Sequence, residues 1–267
     1  MTINAKDLFS LSGKVVLLTG AAGNLGSQYV DGLSQVGANV VLADMNYAEC
    51  IKIEKTIRKK YDVDPLSLKL DLTNQKSISN LVSRVLKKYS KIDVLINNAA
   101  YQGTDEIRTT PFEKLLLKDW NKAVSVNLTG IFLLCQQIGE IMKKQKQGNI
   151  INIGSTYGLV APDQRIYGNS GQNAGAFYAA TKSAVINLTR YLASYWANTG
   201  IRVNTLSPGG VERNQARDFV SNYSKKTMLG RMARRDEYVG AIIFLASDAS
   251  SYMTGSNLII DGGWTAW

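Results

Sequence analysis

Three residues of this sequence have the types and spacing needed for acid–base chemistry: Ser155, Tyr178 and Lys182. Tyr178 and Lys182 are four positions apart, so they share one face of a predicted helix. A free phenol has a pKa of about 10, and a nearby ammonium lowers it by roughly 1–3 units. Such a phenol can exchange a proton near neutral pH, while a serine hydroxyl can donate a hydrogen bond to a carbonyl or alkoxide oxygen. A Tyr–Lys pair at this spacing is common by itself, so its surroundings decide its meaning.

Histidine is absent from all 267 residues, and there are only two cysteines, Cys50 and Cys135. Catalytic Ser-His-Asp and Cys-His systems are therefore excluded, as are zinc sites with imidazole ligands or with four cysteines. We predict no metal site. Acid–base work near neutral pH must then use Tyr, Lys, Asp, Glu or Cys, which favours the Tyr178–Lys182 pair.

A glycine-rich turn, Thr19 to Gly26, follows the first predicted strand and precedes a predicted helix. Glycines let the backbone turn sharply and approach a pyrophosphate, which the unpaired N–H groups of the helix end then face. Asp44 ends the second predicted strand, where a carboxylate can bind the ribose 2′-hydroxyl and repel a 2′-phosphate. Since residues 15–51 contain no Lys or Arg, we predict NAD rather than NADP. A plain strand–helix turn and a helix-capping Asp44 are the alternatives.

Short apolar runs alternate with longer amphipathic stretches along the whole chain, and this pattern predicts a parallel sheet covered by helices on both faces. We predict one α/β domain over residues 1–267, a doubly wound parallel sheet of about seven strands. The predicted strands are 14–19, 39–43, 66–70, 93–96, 149–153, 201–206 and 257–260. The predicted helices are 25–36, 47–60, 75–89, 117–146, 175–199 and 235–247.

Two segments interrupt this alternation, and both follow predicted strands. They are 158–174, which is rich in turn formers, and 207–234, which is irregular with short helical pieces. Ligands of open α/β sheets lie beyond the carboxyl ends of the strands. We therefore expect both segments to form walls of the site.

The motifs together resemble the short-chain dehydrogenase/reductase family over nearly all of the chain. The matching residues are Thr19–Gly26, Asp44, Asp71, Asn97–Ala100, Asn127, Ser155, Tyr178, Lys182, Pro208–Gly209, Tyr252–Gly255 and Asp261–Gly263. The resemblance implies that Tyr178 is the catalytic acid/base and that Lys182 lowers its pKa and binds the nicotinamide ribose. It also implies that Ser155 orients the reacting carbonyl and that Asn127 anchors a water linking Lys182 to solvent. Hydride would pass between the substrate carbinol carbon and the nicotinamide.

The predicted cofactor contacts extend along several strand ends. Asp71 could contact the adenine side of the cofactor, and the alternative is that Asp71 or Thr73 caps the next helix. The amides and small residues after the fourth strand let the chain pass close to a cofactor. The full set is Gly20, Asn24, Leu25, Gly26, Asp44, Asp71, Leu72, Asn98, Ala99, Tyr178, Lys182, Pro208, Gly209 and Val211.

Three departures from the family pattern stand out. Asn24 replaces the middle glycine of the phosphate loop, and we expect the turn to survive because Asn tolerates left-handed backbone. Ala100 replaces a glycine. Ser155 and Tyr178 are 23 positions apart, which is longer than usual and makes 158–174 an insertion beside the reacting carbon. The serine assignment rests on Ser155 ending the fifth predicted strand, and Thr156 is the second choice.

The insertion and the basic segment suggest a substrate class. The insertion supplies many polar side chains, among them Arg165 and Gln172, which suit a polyhydroxylated ligand. Segment 211–235, which includes Arg213, has seven basic residues against two acidic ones, which suits a carboxylate or phosphate. We therefore predict a polyhydroxylated or anionic sugar-like substrate with Arg165, Gln172 and Arg213 as contacts. A surface or subunit-contact loop and a solvated lid are the alternatives.

Rival functions are a 3-oxoacyl-thioester reductase, which normally uses NADPH, and a dinucleotide-sensing protein without turnover. Asp44 disfavours the first and the Tyr178–Lys182 pair disfavours the second. The stretch from Gly158 to Asp163 also resembles, weakly, family members of bacterial surface-sugar and flagellin-glycan pathways.

The remaining expectations concern partners and location. The net charge is +10, but the basic groups lie near the ends of predicted helices, so we predict no nucleic-acid partner. The longest apolar runs are far shorter than the ~20 residues of a membrane span, and the start of the chain lacks a secretory pattern, so we predict a cytoplasmic protein. The resemblance implies a homodimer or homotetramer that pairs the helices at 117–146 and 175–199.

Overall fold

A single parallel sheet organises the computed structural model, which describes residues 4–267. Its strand order is β3-β2-β1-β4-β5-β6-β7, and every neighbouring pair is parallel. The strands are β1 Val15–Thr19, β2 Asn39–Asp44, β3 Leu66–Lys69, β4 Val94–Asn97, β5 Gly148–Ile153, β6 Ile201–Pro208 and β7 Asn257–Ile260. The predicted fold class is confirmed, because continuously apolar runs of this length are what a sheet buried on both faces requires.

Ten α-helices lie within the described residues. They are α1 Ala5–Leu8, α2 Gly26–Gln35, α3 Tyr47–Lys60, α4 Gln75–Tyr89, α5 Asp105–Thr109, α6 Leu117–Val124, α7 Gly130–Gln145, α8 Ala176–Tyr195, α9 Arg217–Ser224 and α10 Val239–Ala246. The alternation of side chains along β1 divides the core in two. Val15 and Leu17 pack with residues of α4, α7 and α8, whereas Val16 and Leu18 pack with residues of α2, α3 and α10.

The helix predicted at 117–146 is interrupted, which corrects the sequence expectation. A π-helical turn at Ser125–Thr129 separates α6 from α7, and the Gly130 N–H donates to the Ser125 carbonyl five residues back. Asn127, in the centre of this turn, is buried and bonds the backbone of Tyr101 through both ends of its amide. Contact with a distant segment of the chain thus stabilises the turn, and an apolar pattern along the helix does not reveal it.

Two other predicted helices end earlier or begin later than expected. The helix predicted at 175–199 ends at Tyr195, and Asn198 and Gly200 then adopt left-handed backbone at φ 62° and 79°. The helix predicted at 235–247 begins at Val239, after a run of turns.

The long apolar helix pair has the length and composition of a membrane span. Residues Leu117–Gln145 meet that test, and they are the one such stretch in the part of the chain that the structure describes. One face of α7, including Ile131, Leu134 and Ile138, is however buried in the core against the sheet. The stretch is therefore a core helix of this domain.

Candidate active site

The carboxyl ends of five strands gather most of the predicted site residues at one edge of the sheet. Thr19, Asp44, Asn97, Ile153 and Pro208 end β1, β2, β4, β5 and β6. The chain adds strands in one direction from β1 to β3 and in the other from β4 to β7, so the order changes direction between β1 and β4, which is the position where open α/β sheets bind their ligands.

The glycine-rich loop leaves no room for a side chain at Gly20 or Gly26. Gly20 has a φ of +67°, and a Cβ on it would lie 2.8 Å from the Ala99 Cα. A Cβ on Gly26 would lie 2.0 Å from the Gly20 carbonyl oxygen. The Asn98 amide donates to the carbonyls of Thr19 and Gly20 at 3.0 and 3.1 Å, so it fixes the loop to the end of β4. Helix α2 starts at Gly26 with no side-chain cap on Leu25. The Ser27 N–H already donates to the Gly23 carbonyl at 3.0 Å, so the N–H groups that precede it at this helix end are the ones that can face a phosphate.

The loop turns at Asn24 without the left-handed backbone that was expected there. The residues other than glycine with positive φ in residues 4–267 are Ser90, Lys146 and Asn198, so Asn24 does not use left-handed backbone. Its Nδ2 is buried and has no hydrogen-bond partner among the described residues. Together with the loop, this orphaned donor fits a pyrophosphate, which offers acceptor oxygens.

Asp44 is held in a fixed orientation at the end of β2. One carboxylate oxygen accepts from the Ala22 N–H at 3.1 Å and the other from the Asn46 N–H at 2.8 Å. The alternative of a capping role is wrong, because Asn46 caps α3 by accepting from Glu49 N–H. The carboxylate therefore lies beside the glycine-rich loop, as a ribose contact requires.

Asp71 and Leu72 lie after β3, and here too a following asparagine caps the next helix in place of the aspartate. The Asp71 carboxylate accepts from the Thr73 N–H and hydroxyl at 2.9 and 2.7 Å, while Asn74 caps α4. The alternative that Asp71 or Thr73 caps this helix is thus wrong. Leu72 is buried against Gly130.

Ser155, Tyr178 and Lys182 converge at the end of β5. The Ser155 hydroxyl accepts from the Tyr157 N–H at 3.2 Å. The Lys182 Nζ lies 5.6 Å from the centre of the Tyr178 ring and donates to the Ile153 carbonyl at 2.6 Å. Ser155 and Lys182 are 6% and 2% exposed, so water has little access to either side chain.

The pKa values at the site are set mainly by burial. Burial raises the pKa of Tyr178, while hydrogen bonds from Ser155 and Gln102 and the positive charges of Arg213 and Arg108 lower it. Burial also lowers the pKa of Lys182, to about 8, so its ammonium remains charged at neutral pH.

Asn127 contacts the site through its neighbours. Its Oδ1 accepts from the Tyr101 N–H at 2.6 Å, and its Nδ2 donates to the Tyr101 carbonyl and to the Thr181 hydroxyl. Both Nδ2 donors are thus used, whereas Oδ1 keeps one acceptor position, and the role of Asn127 in anchoring a water stays a prediction.

Pro208, Gly209 and Val211 lie where β6 leads into the irregular segment 207–234. The Gly209 N–H donates to the Ile260 carbonyl at 2.8 Å, and the Gly209 carbonyl accepts from the Tyr238 hydroxyl at 3.1 Å. Val211 is buried and forms a parallel bridge with Ala233. This backbone is fixed from both sides at the carboxyl edge of the sheet.

Part of the insertion 158–174 packs onto the irregular segment 207–234, while many of its other residues remain exposed. Tyr167 of the insertion lies 5.2 Å from Phe219 of α9, centre to centre, and Tyr223 of α9 stacks on Trp264 at 4.3 Å. Asp163 pairs with Lys226 at 2.8 Å, which joins the two segments by an ion pair. The two segments are thereby joined, and their role as walls of the site stays a prediction.

The three predicted substrate contacts differ in their surroundings. Arg165 is paired with Asp163, and none of its side-chain hydrogen bonds goes to Ser155, Tyr178 or Lys182. Gln172 is exposed in a turn. Only Arg213 acts electrostatically on Tyr178.

The sequence did not single out Gln102 and Arg108, both of which lower the pKa of Tyr178. Both follow β4, on a segment without a recognisable motif. Their position after a strand at the carboxyl edge is the one signal that could have identified them.

Comparison with known proteins extends these observations to the whole chain. A family model described as enoyl-(acyl carrier protein) reductase matches residues 20–265. The chain is 32% identical to post-translational flagellin modification protein A of Campylobacter coli, covering 95% of this chain and 99% of that protein. It is 35% identical to gluconate 5-dehydrogenase of Gluconobacter oxydans, covering 97% of each. It is 36% identical to a 3-oxoacyl-[acyl-carrier-protein] reductase of Thermotoga maritima, covering 95% and 98%.

Solved structures show the same architecture. A gluconate 5-dehydrogenase of Burkholderia cenocepacia in complex with NADP and tartrate superposes with a TM-score of 0.88 at 31% identity, covering 99% of this chain and 100% of that one. A short-chain dehydrogenase of Leptospira borgpetersenii with bound NAD⁺ gives 0.84 at 38% identity, covering 99% and 97%. Agreement of this extent in both sequence and structure leads to one assignment, and the chain belongs to the short-chain dehydrogenase/reductase family.

Proposed function

We propose that the protein is an NAD-preferring oxidoreductase that interconverts a secondary alcohol and a ketone on a polyhydroxylated or anionic sugar-like substrate. The observation that carries the proposal is the convergence of three groups at the end of β5: the Tyr178 phenol, the buried Ser155 side chain and the buried ammonium of Lys182, whose Nζ lies 5.6 Å from the centre of the phenol ring. Oxidoreduction of CH–OH groups with NAD(P) follows from the family; the cofactor preference and the substrate class are the proposal.

The residues divide the chemistry in a simple way. Ser155 donates a hydrogen bond to the substrate oxygen, and Tyr178 takes the carbinol proton or returns it. Lys182 places a positive charge beside the phenol, which stabilises the phenolate form during that transfer. The nicotinamide, when bound, supplies the hydride acceptor or donor. The glycine-rich loop, the Asn24 donor and Asp44 would hold the dinucleotide.

The preference for NAD rests on Asp44. Its carboxylate is fixed beside the loop, and the sequence from 15 to 51 offers no cation to bind a 2′-phosphate. Among the similar solved structures one binds NADP and another NAD⁺, so the preference needs its own test.

Asp44→Ala is expected to lower the ratio of kcat/KM for NAD to that for NADP by at least about tenfold, since removing the carboxylate ends its repulsion of the phosphate. Asp62→Ala removes an equal charge from an exposed position before β3 and should leave the ratio unchanged. Steady-state kinetics with both cofactors would decide the matter. An unaltered ratio in the Asp44 variant would contradict the assignment.

A substrate panel tests the proposed function directly. Sugar alcohols, sugar acids, sugar phosphates and a 3-oxoacyl thioester would be assayed with NAD and NADP by the absorbance of the reduced nicotinamide. We expect turnover of at least one compound with NAD. Turnover confined to 3-oxoacyl thioesters would instead favour the acyl-reductase alternative, which the similarity to the Thermotoga enzyme supports. The polar insertion disfavours that alternative, because a long acyl chain requires an apolar channel.

Self-association is also proposed. Apolar side chains on α6, α7 and α8 remain exposed, among them Leu117, Phe132, Tyr191 and Tyr195. Exposed apolar surface on neighbouring helices favours an isologous contact, and so a homodimer or homotetramer.

A further inference from the structure

The insertion 158–174 begins and ends beside the proposed catalytic side chains. Just before it, the Tyr157 N–H donates to the Ser155 hydroxyl at 3.2 Å. Just after it, the Gly175 carbonyl accepts from the Tyr178 N–H at 2.9 Å. The chain therefore leaves Ser155, forms the insertion and returns at Tyr178, so both ends of the insertion lie where the substrate must react.

Asn173 attaches one side of the insertion to the segment that follows β4. Its N–H donates to the Arg108 carbonyl at 2.7 Å, and its Nδ2 donates to the Thr110 carbonyl at 2.9 Å. Both carbonyls lie at the end of α5. Within residues 4–267, these are the two hydrogen bonds that join the insertion to residues 101–116. Asn173 alone therefore makes the hydrogen bonds on this side.

The other side of the insertion is attached to α9. The Asp163 carboxylate pairs with Lys226, just beyond the end of that helix, at 2.8 Å. Tyr167 packs on Phe219 of α9, with the ring centres 5.2 Å apart. Ile166 is 1% exposed, in an apolar cluster to which α9 contributes. Because α9 follows β6 in the chain, this side of the insertion is joined to the segment after β6.

Hydrogen bonds within the insertion also fix its shape. The Ala174 N–H donates to Gln164 Oε1 at 3.0 Å, and Gln164 Nε2 donates to the Ala174 carbonyl at 3.3 Å. The Ser170 hydroxyl donates to the Tyr167 carbonyl at 2.6 Å and accepts from the Gln172 N–H at 3.2 Å. Loops whose ends are close and whose own groups are bonded are compact. The insertion is thus a compact loop held on two sides.

The strand order places these two attachments on opposite sides of the reacting groups. In the sheet, β5 lies between β4 and β6. The insertion follows β5 and is joined to the segments that follow both neighbours, so it crosses the carboxyl edge of all three strands. Ligands of open α/β sheets lie beyond this edge. A substrate that extends outward from Tyr178 must therefore fit beneath the insertion or break its attachments.

We propose that the insertion is a fixed strap that limits the substrate to compact molecules, and that Asn173 is the specificity-determining residue that holds it in place. The inference rests on the proposed function, because it places the substrate alcohol at Tyr178. A short polyol fits beneath the strap, whereas a long chain must displace it and break the bonds of Asn173. Each hydrogen bond broken in this way weakens binding of the long chain about two- to tenfold.

Two pairs of compounds that differ only in length test the strap. Methyl and hexyl β-D-glucopyranoside carry the same secondary alcohols, and the 3-oxobutanoyl and 3-oxodecanoyl thioesters of N-acetylcysteamine carry the same ketone. Whichever pair is turned over, we expect the wild-type kcat/KM for the shorter member to exceed that for the longer one by at least about tenfold.

Asn173→Ala and Asn173→Asp should each lower that ratio about three- to tenfold, mainly through a lower KM for the longer compound. Both substitutions remove the Nδ2 donor, but aspartate has the size of asparagine. A change shared by both variants therefore comes from the lost hydrogen bond and not from added space. Asn169→Ala makes the same truncation at an exposed residue of the insertion, whose side chain makes no hydrogen bond with the described residues, and should leave the ratio intact.

Hydrogen exchange tests the attachment without turnover. The N–H groups of Asn173 and Ala174 are both bonded, so the peptide that contains them should exchange at least about tenfold more slowly in the wild type than in the Asn173→Ala variant. Equally fast exchange in the two proteins would mean that the insertion is mobile, which overturns the strap. Faster exchange in the variant with an unchanged kcat/KM ratio would overturn its role in specificity.

Failure of the strap and failure of the proposed function give different results. Turnover of the thioesters alone, with a ratio that the Asn173 variants lower, would retain the strap and reject the sugar-like substrate. Equal kcat/KM for the methyl and hexyl glucosides would retain the proposed function and overturn the strap. If neither pair is turned over, calorimetric titration gives the ratio of dissociation constants instead, and equal or undetectable binding of both members at about 10 mM overturns the strap.

Discussion

Replacing Tyr178 with Phe should lower kcat by about 10²–10⁴, the usual contribution of a positioned acid or base. The substitution deletes one oxygen and leaves the ring, which packs at the edge of the cluster of Ile107, Ala123 and Phe177. Because the hydroxyl serves the reaction and not the glycine-rich loop, the Kd for NAD should change by less than about threefold. Steady-state assays would measure kcat, and fluorescence titration with NAD would measure the Kd for the cofactor separately.

Tyr29→Phe supplies the matched control. Tyr29 is fully buried in α2, and its hydroxyl has no hydrogen-bond partner among the described residues. Removing an unsatisfied buried hydroxyl should leave turnover unchanged and the free energy of unfolding unchanged or slightly higher. Retention of more than about a tenth of wild-type kcat by the Tyr178 variant would reject the acid–base assignment.

The sheet was predictable from the sequence because each strand is a short apolar run bounded by turn residues. The predicted strand limits differ from the observed ones by at most two residues, the largest difference being the extension of β6 to Pro208. The Ser155, Tyr178 and Lys182 set was predictable for a related reason. A strand end fixes the first residue and the helical repeat fixes the other two, so local geometry brings them together.

Features that depend on contacts distant in sequence were not predictable. The π-helical turn requires Asn127 to reach the backbone of Tyr101, and a smooth apolar pattern conceals that bond. The basic segment looks uniform in sequence, yet Glu237 and Asp163 neutralise several of its members only after folding. The same holds for the pKa of Tyr178, where burial outweighs the charges around it.

Lys182→Met should abolish most turnover and yet stabilise the fold at neutral pH. Burial lowers the pKa of Lys182 from 10.5 to about 8. The unfolded chain therefore binds more protons than the native one between about pH 8 and 10.5, and the stability of the wild type rises with pH across that window. Below pH 8 the buried ammonium costs on the order of 3 kcal/mol relative to a neutral amine. Methionine is unbranched and apolar, so it fills the same space without that cost.

The lost hydrogen bond to the Ile153 carbonyl offsets part of the gain by about 1 kcal/mol. We therefore expect the variant to unfold at a higher denaturant concentration at pH 7 and to show no rise in stability between pH 8 and 10, since it lacks the titrating group. Denaturant unfolding at several pH values, followed by tryptophan fluorescence, would show both effects. Ser183 follows Lys182 in the sequence but lies on the exposed face of α8, so the Ser183→Ala variant should retain the wild-type pH dependence. A Lys182 variant that is less stable than the wild type at pH 7 would contradict this prediction. It would mean that the buried ammonium stabilises the fold, so that its burial beside Tyr178 carries no cost in stability.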